Sequence, residues 1–226
     1  MLTPVVILRN LAEMIGTMGF VTSLALMPLS LASAILQAAP LIVVLGAALI
    51  LQEFVGWYRW MAILVGFVGV LLVIQPGTEG FNAYVVFAVI GVVGLGLRDL
   101  ATRRVPTDIS SQQLGFLGFL SLLPAGLLLW LITGHPVVNP SPQNWAMLGT
   151  SIILGVMAYF FIVLATRIGE VSFVTPFRYA RIVFALIIGG LVFGEVPNTW
   201  MLLGIALIAG SGIFALWRER KQFAEA

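Results

Sequence analysis

Residues 29–53, LSLASAILQAAPLIVVLGAALILQE, are answered near the other end of the chain by residues 171–195, VSFVTPFRYARIVFALIIGGLVFGE. Each stretch has Ser in second position, Ser30 and Ser172, continues as a long apolar helix and ends on Glu, Glu53 and Glu195. Trp60-Met61 then matches Trp200-Met201, and further on Gly69-Val70 matches Gly212-Ile213. The full units run over 20–75 and 162–217: a helix, a tight polar break, a long apolar helix, a Glu, a Trp and a Gly-dotted helix. In an apolar chain such a repeat predicts two similar helical bundles facing each other, an arrangement used by secondary transporters.

Composition sets the surroundings of these bundles. Apolar residues make up 61% of the 226 and charged residues 9%, against roughly half and a quarter in a soluble domain; mean hydropathy is +1.11. So few charges cannot cover a water-facing surface. In lipid the backbone must satisfy its own hydrogen bonds, which predicts an all-α polytopic membrane protein. The apolar runs are continuous rather than alternating, unlike barrel strands. With no Cys and a single His, His135, neither a disulfide framework nor a metal site is expected, and no cofactor is implied. The formal charge of +2 points to no nucleic acid. An intramembrane enzyme would need a carboxylate cluster, a Ser/His pair or a metal motif at depth, and the sequence offers none.

A span needs about 20 apolar residues, and the chain divides into eight: 11–27, 30–52, 60–74, 83–100, 114–133, 145–166, 172–193 and 200–217. An even number puts both termini on one side. That side receives Arg9, Arg59, Arg98, Arg103, Arg104, Arg167, Arg218, Arg220 and Lys221, and the opposite connections receive no Lys or Arg. The positive-inside rule therefore predicts cytoplasmic termini in a multi-pass protein of the cytoplasmic membrane. Glu53 then lies on the cytoplasmic side and Glu195 opposite, so the repeats are inverted. The organisation reads as a first repeat over 1–77, a second over 83–217 and a cytoplasmic tail over 218–226. The second holds five helices and the first three. The opening 1–10 reads as the tail of a lost helix, with two helices expected before Leu11.

On these stretches, together with GFVGVLLVIQPG at 66–77, the chain resembles the EamA-type permeases of the drug/metabolite transporter superfamily. The Glu closing the long helix, ahead of a Gly-rich helix, carries the resemblance. It implies ten helices in two inverted five-helix repeats around a central cavity, and transport of a small organic metabolite by alternating access. The chain departs at its start and at Gln52, where the second copy has Gly194. The alternative is a truncated, non-transporting subunit that acts only by assembling with a partner chain. Expected partners are a small-molecule substrate and the lipid bilayer, with a homodimer allowed.

Ionisable groups inside a span are costly and are functional candidates. Arg178 and Arg181, at i and i+3, share a helix face; two guanidiniums there would favour an anionic or zwitterionic substrate. The alternatives are pairing with Glu13, Glu170 or helix-end carbonyls, or snorkelling to the interface. Glu13 is either a proton-coupling carboxylate or a salt-bridge partner of Arg9 or Arg178. Tyr179 and Tyr159 could stack on a ring-containing substrate, and Gln37 could line the cavity on a face kinked by Pro40. Pro40 and Pro176 read as hinges or cavity walls. Glu53 and Glu195, each disfavoured by the dipole at a helix C-terminus, are expected to bond backbone amides of the next helix. The glycines Gly66, Gly69, Gly91, Gly94 and Gly96 are expected to mark close helix packing.

Overall fold

The computed structural model describes residues 3–52, 56–78, 81–106, 108–134, 136, 138–168 and 179–224. Among the described residues the regular structure is all helical: α1 (Pro4–Leu26), α2 (Leu29–Leu36), α3 (Ala39–Leu49), α4 (Trp57–Ile74), α5 (Val85–Thr102), α6 (Ser111–Thr133), α7 (Pro142–Ile168), α8 (Ala180–Phe193) and α9 (Thr199–Ala224). Since α2 and α3 are halves of one broken span, each of the eight expected segments is represented among the described residues, with 172–178 of the seventh lying outside them. Pro4–Leu26, Leu29–Leu49, Val85–Thr102 and Gln112–Thr133 are each long and apolar enough to cross a membrane.

The reading of 1–10 as a helix tail is corrected. The first helix starts at Pro4, with Thr3 Oγ1 accepting from Val6 N–H at 3.4 Å. Proline suits that first position because its missing N–H would have no intrahelical partner. Arg9 does not end the segment, because its charge is met inside the bundle. α6 opens with a reciprocal capping box: Gln113 N–H donates to Ser110 Oγ and Ser110 N–H donates to Gln113 Oε1.

The pairs α4–α9 and α1–α5 run antiparallel. Going up α4, Gly66 meets Ser211, Gly69 meets Gly204 and Ile208, and Val73 meets Gly204. Beyond the helix end, Gln75 exchanges side-chain hydrogen bonds with Asn198 at 2.9 and 3.2 Å. These are the two helices that the sequence repeat makes equivalent, so each copy crosses its counterpart in the opposite direction, as inverted repeats require. A Cβ at Gly69 would sit 2.7 Å from the Gly204 carbonyl oxygen, so only glycine permits this approach. α1 and α5 close in the same way, with Gly16 against Gly94 and Gly19 against Gly91.

The core cluster joins α2 and α3 (Ala32, Ala34, Ile35, Leu36, Leu41) to Val85, Ala88 and Val92 of α5, Ile182 and Ala185 of α8, and Met201 and Ile208 of α9. The broken span is thus the most enclosed of the long apolar segments. The outward surface is apolar, with Leu123, Ile132 and Leu191 all at least 70% exposed, which suits lipid and not water. On α7 every described side chain from 142 to 158 is exposed.

Candidate functional site

The span Leu29–Leu49 breaks well inside the bundle. The backbone turns at Gln37 and Ala38, whose N–H groups donate to Ala34 and Ile35 in tighter i→i−3 bonds, and α3 restarts at Ala39. Pro40 explains the location, since it has no N–H to return to Leu36. A kink was expected at Pro40; the chain instead breaks ahead of it, leaving Pro40 in the first turn of a new helix. Gln37 is the last residue before the break and is 5% exposed.

Three of the candidate residues meet there. Arg181 Nη2 donates to Gln37 Oε1 at 2.7 Å, and Gln37 Nε2 donates to the Tyr179 carbonyl oxygen at 3.1 Å. One amide from the first repeat therefore holds a guanidinium and a backbone carbonyl from the second. Arg181 is otherwise exposed beside the break, while Tyr179 is buried. The Tyr179 phenol lies against Gly212 of α9, where its hydroxyl and ring edge occupy the space a Cβ would take. The Tyr179 ring, a candidate for stacking on substrate, here packs against α9. Arg178, Pro176 and Glu53 lie outside the described residues, as does the side chain of Tyr159.

Glu195 has a different partner from the one expected. Its carboxylate bonds not to the following helix but to the start of α2 in the other repeat. Oε1 accepts from Leu29 N–H at 2.6 Å, and Oε2 accepts from Ser30 N–H at 2.9 Å and from the Ser30 hydroxyl. Pro28, at the N-cap of α2, offers no side-chain acceptor, so Glu195 answers two of the four donors that a helix start leaves open. Gly189 admits the carboxylate, since a Cβ there would lie 2.6 Å from Oε2.

Glu13 is held on both sides. Its Oε2 lies 2.9 Å from Arg9 Nη2 and its Oε1 lies 2.8 Å from Arg98 Nη1. Arg98 Nε in turn lies 2.9 Å from Asp99 Oδ1, and Arg9 Nη1 donates to the Leu114 carbonyl oxygen at 3.2 Å. The four charges tie α1, α5 and α6 together. Arg9 was expected as a partner; Arg98 was not, because only the antiparallel packing of α1 on α5 brings it there. The Glu195–Ser30 bond was likewise hidden, although the repeat pairing had already singled out both residues.

Comparison with known proteins agrees with this architecture. Residues 82–217 match the EamA-like transporter family. An S-adenosylmethionine uptake transporter of Rickettsia prowazekii is 24% identical over 96% of this chain and 73% of its own length. A riboflavin transporter of Rhizobium johnstonii is 29% identical over 95% and 70%. A pseudopaline exporter of Pseudomonas aeruginosa is 26% identical over 96% and 76%. A solved crystal structure superposes with a TM-score of 0.58 at 19% identity, covering 97% of this chain and 90% of the other, and bears on the fold alone. With its all-helical broken-span bundle and a match over more than half its length, this chain belongs to the EamA-like transporter family.

Proposed function

We propose that the chain is a permease that moves a small organic metabolite, anionic or zwitterionic, across the cytoplasmic membrane by alternating access. The observation that carries this reading is the Gln37–Arg181–Tyr179 junction, where both repeats bring polar groups to a helix break inside the bundle. A fixed guanidinium beside a broken helix matches the way transporters bind charged substrates at the meeting of their repeats. Relatives named for uptake of S-adenosylmethionine and for transport of riboflavin support an organic metabolite as cargo. The nine cationic residues assigned to the terminal side support cytoplasmic termini. The test is uptake and efflux of a labelled metabolite panel in proteoliposomes. Transport lost in Arg181→Ala and kept in a lipid-facing control such as Leu123→Ala supports the reading. Transport of an anionic substrate unchanged in Arg181→Ala overturns the substrate assignment.

A second reading, a subunit that acts only with a partner chain, is favoured by one feature, the exposure of every described side chain over 142–158 of α7. Mass measurement of the protein in nanodiscs separates the two. Transport by a lone monomer excludes the second.

A further inference from the structure

α2 is an eight-residue rod, about 12 Å long, held at both ends by the second repeat. Glu195 grips its first two residues, Leu29 and Ser30. Gln37 at its far end is held by Arg181 and Tyr179. Between them Ser33, three residues beyond Ser30 and four before Gln37, continues the same stripe, and it is buried. The rod is bounded by Pro28 before it and by the Gln37–Ala38 break and Pro40 after it.

A helix cap normally comes from the residue just ahead of the helix, and it stays in place however the domains move. Here the local residue is Pro28, with no side-chain acceptor, and the cap comes from the link between α8 and α9 in the other repeat. Capping of α2 is therefore conditional on the two repeats touching at this face. Separation exchanges three bonds to one carboxylate for bonds to water, which permits a reversible contact.

The geometry points to Glu195 as the latch of this face. Its carboxylate holds the start of α2 against α8, and its release lets α2 swing about the Gln37–Pro40 break. That movement opens a path along the α2–α8 seam to the Gln37–Arg181 junction. Glu195 is thus a positioning residue for the transport cycle; this role rests on the carrier reading, whereas the latch itself is testable without any substrate.

The chain has no cysteine, so a single Ser33→Cys reports α2 alone. The experiment measures its reaction with a water-soluble maleimide in lipid nanodiscs, where both faces meet water. Against the latched parent, Glu195→Ala is expected to speed labelling by about tenfold or more, as loss of charge-assisted hydrogen bonds implies. Ser30→Ala, which removes only the hydroxyl donor, is expected to give a smaller rise. Gln75→Ala breaks the neighbouring Gln75–Asn198 pair and is expected to stay within about twofold of the parent. Unchanged labelling in both Glu195→Ala and Ser30→Ala overturns the latch, as does an equal rise in Gln75→Ala, which would mean general loosening. If Glu195→Ala does not yield folded protein, Glu195→Gln takes its place, with one acceptor oxygen kept and the charge lost. Metabolite flux in the same proteins is read separately: a latch that responds in a protein without flux retires the carrier reading and leaves the latch standing.

Discussion

Arg181 Nη2 stands 2.7 Å from Gln37 Oε1, a hydrogen bond that crosses from one repeat to the other at a helix break. The same amide donates to the carbonyl of Tyr179, so its orientation is decided by both ends. Gln37→Ala removes a buried acceptor and a buried donor together and is expected to destabilise the protein by about 2–3 kcal/mol. Gln37→Glu returns an acceptor to Arg181 but loses the donor to Tyr179. It should recover part of that stability while weakening transport of an anion through charge competition at Arg181. Thermal unfolding in detergent checks the first, and proteoliposome flux the second.

The crossing of α4 and α9 depends on backbone contact at Gly69 and Gly204. Gly69→Val should overfill it and destabilise by about 2–3 kcal/mol. Gly126 of α6, with no atom within 4 Å of its would-be Cβ, is the matched control. Gly126→Val should change stability by no more than about 0.5 kcal/mol. Equal melting temperatures for the two variants would contradict the packing described.

Glu13 answers Arg9 and Arg98 with separate oxygens, and its side chain is 12% exposed. Glu13→Gln takes the shared carboxylate from Arg9 and leaves Arg98 with Asp99, and a loss of about 3 kcal/mol is expected. Asp99→Asn removes an outer member of the network, whose partner Arg98 keeps Glu13, and should lose less than about 1 kcal/mol. The order Glu13 over Asp99 is the measurable outcome, read from unfolding midpoints of the two single variants.

Gln52 has φ 54° and Gly194, its counterpart in the repeat, has φ 66°. The residue ahead of each paired Glu thus sits in the left-handed region, one with a side chain that disfavours it. Gln52→Gly should stabilise by about 0.5–1 kcal/mol, and Gly194→Ala should destabilise by about 1 kcal/mol. Opposite signs at equivalent positions would be a direct test of the internal symmetry.

Much of the helical plan was legible because lipid imposes it. Long apolar runs have one backbone solution, and charges, Pro and Gly mark their ends. The equivalence of Trp60-Met61 with Trp200-Met201 anticipated α4 and α9, and the glycines anticipated their close approach. Arg9 misled the placement of the first helix, because a charge reads as a boundary until its partner is known. Pro40 located the disturbance in the second span but not the break itself, which falls at Gln37–Ala38.

From the sequence alone came the membrane class, the number of spans, the internal repeat and the residues worth watching. Those follow from composition and periodicity, which act locally or through the solvent. Tertiary structure alone decided the partners: Glu195 with Ser30, Arg181 with Gln37, Glu13 with Arg98, and the Tyr179 ring with Gly212. Each joins residues far apart in the chain, and a hydrogen bond or ion pair depends on distances that only antiparallel helix packing sets.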